Sequence, residues 1–327
     1  MLCLLTALLL QPASLATPQA SVVILQGGES PAQVLQLLNQ TGNRVTTRNN
    51  LPVQWPDKQF QLTAGKKTFW ELLDLLTLQC QLSVQLKAEE IELSSIDSTT
   101  ATYIAYSGPW RARLLRRSIV AYEDASLDRL ILQVELALEP RLVPLLIALQ
   151  PAGQSSPATS YSFEGEPIKV LEFRLPRPPR TQTHLEEVQL AGIAWLAPGR
   201  ITMTMPCQPN TQEKKSGITA ILRRVDKNSA SQTWELSTEV QYPPGTREWE
   251  SHQSRLFNSL KLQLRSDSNI ITPVGREIRT DSGSTVNANW LLRNVPNSPS
   301  PWKVELTIPT TPQEMPVQFT FRKVALP

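Results

Sequence analysis

The chain has few of the residues on which most catalytic and metal sites depend. Of its 327 residues only two are histidine and three are cysteine. It has no C-x-x-C pair, no H-E-x-x-H helix motif and no Asp-rich calcium loop, which excludes the common zinc and EF-hand patterns. It also lacks a G-x-S-x-G elbow and a phosphate-binding glycine loop. We therefore predict a protein that is not an enzyme, with no catalytic residue, no cofactor-binding residue and no metal ligand.

The chain also lacks a strong charge bias and is poor in glycine. It has 32 Lys and Arg against 29 Asp and Glu, a net charge of +3, which gives no reason to expect a nucleic-acid partner. Gly occurs 13 times and Pro 27 times, where an average chain of this length would have about 23 and about 16. Many prolines with few glycines favour strands bounded by stiff turns, because Pro lacks the donor that a ladder needs.

A long hydrophobic run is missing as well. Met1–Leu10 is almost wholly apolar, about half the ~20 residues that a transmembrane helix needs. Ser14, Leu15 and Ala16 then form the small-x-small pattern of a signal-peptidase site. We predict a signal peptide over residues 1–16 and an exported, periplasmic or extracellular protein of a bacterial envelope, without an integral membrane span after cleavage. No Lys or Arg precedes the apolar run, which indicates either a misplaced start site or an unusual signal. A buried N-terminal strand or helix is the alternative.

Removal of this signal would leave Cys80 and Cys207 in the mature chain. They lie in different predicted domains, so they could form a disulfide across an interface. Two buried free thiols are at least as compatible with the sequence.

Two capping boxes mark helices in a first domain, residues 21–96. Ser30 with Gln33 begins one, with Pro31 at its first position, and Thr68 with Glu71 begins the other. Apolar residues then follow at helical spacing in both, namely Val34, Leu35 and Leu38, and Phe69, Leu72, Leu73 and Leu76. Strand-like runs lie around them at 22–25, 44–47, 60–62, 82–86 and 91–93. The order β-α-β-β-α-β-β predicts a small two-layer α+β domain.

This order resembles the short N-terminal domain of secretins and TonB-dependent receptors. The resemblance depends on the runs Val34–Leu38, Thr41–Val45, Phe60–Leu62, Phe69–Leu76 and Leu82–Leu93. In that family the domain is periplasmic and docks other proteins without chemistry of its own. The resemblance therefore implies a partner-binding role for residues 21–96, whereas nothing downstream resembles a secretin ring or a receptor barrel.

The remaining two thirds of the chain contain a sequence motif that occurs twice. Ala112–Arg117 precedes Leu132–Pro140, and Thr219–Arg224 precedes Leu236–Pro244; each copy has apolar residues, Arg-Arg, a polar insertion and then Leu-x-x-Glu ending in Pro. Helical periodicity is nearly absent here, apart from a short turn around 249–260. Short alternating runs with Pro-rich turns predict antiparallel sandwiches. Chance similarity between β-rich segments is the alternative to duplication.

We therefore predict a mainly β fold, with the α+β domain followed by two tandem Ig-like antiparallel β-sandwiches at 99–206 and 217–327. A polar linker is expected at Pro206–Ser216. Each copy is expected to close with a hairpin whose apolar residues alternate. These residues are Ala194–Pro198 with Ile201, Met203 and Met205, and Val304–Pro309 with Val317, Phe319 and Phe321.

A second resemblance covers most of the chain. The runs Glu139–Ile147, Val240–Gln253 and Val317–Pro327 resemble exported planctomycete-type proteins whose activity is uncharacterised. This resemblance implies an envelope location and no particular activity.

The residues that could carry chemistry each have an ordinary structural interpretation. His184 at a strand start is expected to be an exposed spectator, His252 to pack on the Trp249 indole, and Asp281–Ser284 to form a turn. Glu164 and Glu166 bracket Gly165 in an expected loop, and the adjacent pairs Glu89–Glu90 and Glu186–Glu187 point to opposite faces on a strand. The arginines could pair across strands or bind a polyanion; they are Arg111, Arg113, Arg116, Arg117, Arg223 and Arg224. Trp110, Trp249 and Trp302 are the candidate sugar platforms, although core packing is the favoured interpretation.

The sequence thus favours a non-enzymatic cell-envelope protein that binds a protein partner through its docking domain and β-sandwich surfaces. A carbohydrate-binding module, with a glycan as partner, and an unrecognised envelope hydrolase are the alternatives. Exposed tryptophans on one face would indicate the first, and a pocket gathering a His, a carboxylate and a Ser the second.

Overall fold

The computed structural model describes residues 18–48, 60–87, 89–95, 103–124, 127–153, 158–228, 230–244, 246, 249–267, 269–280, 283–296 and 301–327. The expected signal peptide, residues 1–16, lies outside the described residues, as do Asp281 and Ser282. Within the described part, neither helix is long and apolar enough to cross a bilayer. The fold is mainly β, with multiple antiparallel sheets in a sandwich-like arrangement and an α+β domain in front of them.

The first domain has the predicted order of elements. Its elements are β1 (Val22–Leu25), α1 (Pro31–Gln40), β2 (Arg44–Thr47), β3 (Gly65–Thr68), α2 (Phe69–Cys80), β4 (Leu82–Leu86) and β5 (Glu90–Ser95). Both predicted capping boxes are present. One sheet is the antiparallel pair β1–β3, and the other has the order β2-β5-β4. The two helices and the apolar faces of these strands enclose one core.

The third strand lies a few residues further along than predicted. We expected Phe60–Leu62, whereas the strand is Gly65–Thr68, which pairs with β1. The prediction was wrong because it followed apolar residues. Leu62 is buried in the core without belonging to a strand, and the polar Lys66 and Lys67 form the strand because β1 supplies a partner for their backbone.

The rest of the chain contains seventeen strands in the described part. They are β6 (Tyr103–Ser107), β7 (Trp110–Val120), β8 (Arg129–Leu138), β9 (Val143–Pro151), β10 (Thr159–Ser162), β11 (Ile168–Pro176), β12 (His184–Ala197), β13 (Arg200–Pro206), β14 (Thr211–Lys215), β15 (Ile218–Asn228), β16 (Thr233–Gln241), β17 (Lys261–Arg265), β18 (Ile270–Ile271), β19 (Gly275–Thr280), β20 (Thr285–Leu292), β21 (Lys303–Pro309) and β22 (Gln313–Ala325). A 3₁₀ helix, Ser251–Phe257, occupies the place where a short helical turn was expected.

These strands form two sandwiches with matching strand orders. The first sandwich has sheets β6-β7-β8-β11 and β10-β9-β12-β22 around one core. The second has sheets β14-β15-β16-β20-β19 and β18-β17-β21-β13 around another. In this comparison β6, β7, β8 and β11 correspond to β14, β15, β16 and β20, and β10, β9, β12 and β22 correspond to β18, β17, β21 and β13. Strand β19 is an extra edge strand of the second sandwich. This agreement is what the predicted duplication requires.

The two sandwiches exchange their last strands. The expected closing hairpins are absent: β12 pairs with β22, and β13 pairs with β21. The chain thus leaves the first sandwich at Pro198 and Gly199 and returns from the second at Thr310–Pro312. The two crossings lie side by side, since Thr310 N–H donates to the Gly199 carbonyl at 2.9 Å.

This exchange corrects the predicted division of the chain. Residues 200–206, expected in the first copy, belong to the second sandwich, and residues 313–325, expected in the second, complete the first. The expected linker, Pro206–Ser216, contains β14, which pairs with β15. The prediction failed because an alternating strand buries its apolar face equally well in its own sandwich or in a neighbouring one.

The repeated Arg-Arg motif lies at a β-bulge in each copy. In the first, Leu114 lies opposite Val134 and Arg116 opposite Gln133, which leaves Leu115 as the extra residue. In the second, Leu222 lies opposite Thr238 and Arg224 opposite Ser237, which leaves Arg223. Leu114 and Leu222 are therefore equivalent in the structure, whereas the repeated sequences align Leu115 with Leu222. A bulge at the same register in both copies indicates a shared feature of the module.

The sandwiches also pack directly on each other. Strand β9 is buried along nearly its whole length: Ile147 and Leu149 belong to the first core, while Val143, Leu145 and Leu146 join the second. Burial on both sides explains why the sequence shows a continuous apolar run here rather than alternation. The paired crossings and this contact hold the two sandwiches together.

Candidate functional site

A buried ion pair joins the first domain to the first sandwich. Arg111, on β7, contacts Asp74, on α2, with 2.6 Å between Nη2 and Oδ1, and both side chains are buried. The Tyr106 hydroxyl donates to the other Asp74 oxygen at 2.8 Å. Arg111 also lies over the ring of Trp70, whose Nε1–H donates to the Pro109 carbonyl at 2.9 Å. These contacts fix α2 on the sandwich.

Burial controls the titration of this pair. It raises the pKa of the Asp74 carboxyl, with the Arg111 charge acting in the opposite direction, and it lowers the pKa of the Arg111 guanidinium. Two further nitrogens of Arg111, Nε and Nη1, are buried without a hydrogen-bond partner in the described structure. The guanidinium therefore depends on Asp74 and on the Trp70 face for compensation.

A second polar network closes the same interface. The fully buried Glu139 accepts from Ser21 N–H at 2.8 Å, Ser21 Oγ at 2.6 Å and Asn43 Nδ2 at 3.2 Å. Arg141 Nε donates to the same carboxylate at 2.8 Å, and Arg141 N–H donates to Asn43 Oδ1 at 3.0 Å. Every oxygen of this carboxylate is thus used, which is what a buried charge requires. The network fixes the chain immediately before β1.

A groove of about 850 Å³ lies beside β1, between this strand, α1 and the junction. Its walls include Val22 and Ile24 of β1, Leu37 and Gln40 of α1, and Arg141. In the part of the chain that the structure describes, β1 pairs with β3 alone, so its other edge has no strand partner. Val22 and Ile24 are 55% and 61% exposed. The first domain therefore presents an apolar strand edge above an open groove.

Two lysines lie on the strand next to this edge. Ile24 is opposite Lys66 and Val23 opposite Lys67 in the β1–β3 register. No carboxylate of the described residues forms an ion pair with either lysine, and Arg141 is already paired with Glu139. The surface around the β1 edge is therefore apolar with a positive margin.

His184 is the histidine whose side chain the structure describes, and it lies on an exposed surface. His184 is exposed at the start of β12; its Nε2 lies 2.6 Å from Glu186 Oε1 and its Nδ1 3.2 Å from Thr183 Oγ1. Neither described groove of the chain includes it. The His252 side chain lies outside the described residues. Glu164 and Glu166 are exposed around a turn, as expected. Among the described residues, no group of three or more His, Cys, Asp and Glu could hold a metal ion.

The arginine cluster mostly pairs within the protein. Arg113 pairs across strands with Glu135 at 3.6 Å, and Arg223 with Glu239 at 2.7 Å, which confirms the expected cross-strand pairing. Arg224 pairs with Asp226, and Arg117 donates to the Ala325 carbonyl at 2.8 Å. Arg223 and Arg224 are exposed as well, so Arg116 differs from them in forming no ion pair with the described residues.

The candidate sugar platforms are buried. Trp110, Trp249 and Trp302 all belong to the cores, where Trp249 packs edge-on against Tyr242 and Trp302 against Trp234. No described tryptophan is an exposed platform. Of the open cysteine alternatives, the structure has two buried free thiols, Cys80 and Cys207. Burial raises the pKa of the Cys207 thiol to about 11.

Sequence reasoning missed the junction. Asp74 is not among the candidate residues that the sequence indicates, and Glu139 is named only within the runs Leu132–Pro140 and Glu139–Ile147. The available signal was the acidic Asp74 within a helix whose neighbouring residues are almost all apolar, since such a residue needs a buried partner.

Comparison with known proteins adds little to this geometry. No protein-family model matches the chain, and no curated protein is significantly similar to it. Among solved structures, "The crystal structure of the conserved domain protein from Bacillus anthracis" is similar over 69% of this chain and 91% of that one, with 10% identity and a TM-score of 0.22.

Proposed function

We propose that this chain is an exported, non-enzymatic protein of the cell envelope that binds a protein partner through its first domain. The observation that carries the proposal is the unpaired edge of β1 above the groove, with Val22 and Ile24 exposed. An exposed strand edge offers a row of backbone donors and acceptors to an extended segment of a partner. The partner segment would place alternate apolar side chains against Val22 and Ile24.

The charge at this edge favours an acidic segment. Lys66 and Lys67 lie on the neighbouring strand and have no carboxylate partner among the described residues. Complementary charge raises the association rate and selects among partners more than it adds affinity. The proposed occupant is therefore an extended, alternating apolar segment with flanking Asp or Glu.

The remainder of the molecule supports a scaffold role. The first domain is fixed to the first sandwich by the Arg111–Asp74 pair and the Glu139 network. The exchanged strands then connect both sandwiches to it. The docking role and periplasmic location that the resemblance to secretin and TonB-receptor domains implies belong to the same proposal, as do the Ig-like character of the sandwiches and the envelope location.

Affinity capture from envelope extract tests the proposal. The full chain, an Ile24→Asp variant and a Leu78→Asp variant are compared as baits. Leu78 is a suitable control because it is 67% exposed on α2 and does not line the groove. We expect the partner retained by the unaltered chain to be lost with Ile24→Asp and kept with Leu78→Asp. Equal retention by all three baits, or equal loss with both variants, would show that β1 is not the docking edge.

A further inference from the structure

A second cavity, unrelated to the β1 groove, opens on the side of the second sandwich. Strand β17 pairs with β18 only through Leu264 and Arg265, so its edge at 261–263 is not covered by β18. The crossing from β18 to β19, Thr272–Val274, passes from one sheet to the other beside this gap. The result is a cleft of about 440 Å³, within the range of roughly 300–1,000 Å³ that small-molecule sites occupy.

The interior of this cleft is apolar. Its lining includes Leu260, Leu262 and Trp290, all buried, and Pro273 with Val274. The indole N–H of Trp290 donates to Thr238 Oγ1 at 2.8 Å, so it needs no hydrogen-bond acceptor from a ligand. At the rim, Val274 is 61% exposed. The cleft thus suits an alkyl chain more than a polar ligand.

One cationic group faces the cleft. Arg276 lies directly opposite Trp290 in the β19–β20 register, so both side chains share a face of the sheet. Its Nη1–H donates to the Leu260 carbonyl at 2.8 Å, which holds the guanidinium at the mouth. In the described structure its other N–H groups have no protein acceptor.

The other charged residue of the lining is directed elsewhere. Lys261 lies on the outer face of β17, and its ammonium lies close to Gly165, in the turn between β10 and β11. The described lining contains no Asp or Glu. The cleft therefore combines an apolar floor with a single positive charge that has no matching negative charge.

We propose that this cleft binds a single-chain carboxylate, with the alkyl tail on Leu260, Leu262 and Trp290 and the carboxylate at Arg276. A guanidinium is the side chain best matched to a carboxylate, because its planar fork gives two parallel hydrogen bonds. Removal of the apolar tail from water stabilises the complex, and the hydrogen bonds of the carboxylate fix the orientation of the ligand.

Calorimetric titration of the full chain with decanoate below its micellar concentration tests this proposal. Decyltrimethylammonium, with the same tail and the opposite charge, is the comparison ligand. We expect saturable decanoate binding at one site per chain and at least about tenfold weaker binding of the cation, since a hydrogen bond to a charged group contributes about 1.5–3 kcal/mol. Absence of saturable decanoate binding, or equal binding of both ligands, would overturn the proposal.

Variants on one strand identify the site. Arg276→Gln is expected to weaken decanoate binding at least about tenfold with little effect on the cation. Arg279→Gln, on the opposite face of β19, is the matched control and should leave the affinity unchanged. Val274→Glu, at the exposed rim, should also weaken decanoate binding without unfolding the chain. Equal effects of Arg276→Gln and Arg279→Gln would overturn the assignment, as would binding to anionic lipid vesicles without binding of free decanoate.

Discussion

At the scale of single residues, the molecule depends on a few buried charges at the junction of the first domain and the first sandwich. Arg111, Asp74 and Glu139 each lie where an unpaired charge would cost several kcal/mol, and each has partners from the opposite side of the interface. Arg111, which the sequence groups with the candidate polyanion-binding arginines, is therefore an interface contact.

A double-mutant cycle measures the Arg111–Asp74 pair. We expect Asp74→Leu alone to reduce the free energy of unfolding by about 3–5 kcal/mol, because it leaves a buried guanidinium without its counter-charge. The double variant Asp74→Leu/Arg111→Met should lose clearly less than the sum of the single variants. Glu305→Gln, which breaks the more exposed pair with Arg265, is the control, with an expected loss of no more than about 1 kcal/mol. Strictly additive losses in urea unfolding would contradict the account.

The pH dependence of stability has an identifiable contributor in Asp128. The Tyr122 backbone N–H and the Arg177 guanidinium hold the pKa of this carboxyl below its ordinary value of 3.8. An acid with a lowered folded pKa binds fewer protons in the folded chain, so its stabilisation is complete above pH 3.8 and is lost as the pH falls through the folded pKa.

We therefore expect Asp128→Asn to be less stable than the unaltered chain at pH 7, with a difference that shrinks below about pH 4. Thermal unfolding of both proteins across this range provides the measurement. A difference that stays constant down to pH 2 would contradict the assignment.

The residue scale also shows why part of the site escaped sequence reasoning. The arginines were identified, and the cross-strand partner of Arg113, Glu135, follows from the strand register. The partner of Arg111 does not, because Asp74 belongs to another domain and no spacing rule relates residues across an interface.

At the scale of elements, the sequence predicted those features that depend on residues close together in the chain. Both helices begin at their capping boxes, since these motifs satisfy the first-turn amide groups with nearby side chains. Strand β3 and the bulges at Leu115 and Arg223 were missed or misaligned because they depend on the partner strand. The apolar pattern alone does not distinguish a bulge from a regular strand.

Close packing between β9 and β12 gives a test at this scale. A Cβ at Gly192, in β12, would lie 1.9 Å from the Ala148 carbonyl oxygen, whereas at Gly199 it would meet nothing within 4 Å. We expect Gly192→Ala to lower the free energy of unfolding by at least about 1–3 kcal/mol, because backbone must move. Gly199→Ala should be within about 1 kcal/mol of the unaltered chain. Equal stability of the two variants in urea titrations would contradict the register of β9 and β12.

At the scale of the whole molecule, the two sandwiches form one interlocked body. Each contributes the strand that completes the other, and the two crossings are hydrogen-bonded to each other at Gly199 and Thr310. The sequence predicted the matching copies and the mainly β class, but not the exchange. A closing hairpin and an exchanged strand bury the same alternating residues, so only the pairing distinguishes them.

Engineered disulfides test the exchange most directly. Thr202 and Thr307 lie opposite each other in the β13–β21 register, with 3.2 Å between their hydroxyl oxygens. Ile193 and Thr204 would lie opposite each other if β12 and β13 formed a hairpin about Pro198 and Gly199. We predict that Thr202→Cys/Thr307→Cys forms an intrachain disulfide on mild oxidation, identified by peptide mapping, and that Ile193→Cys/Thr204→Cys does not. Disulfide formation in the second pair and not in the first would contradict the exchange.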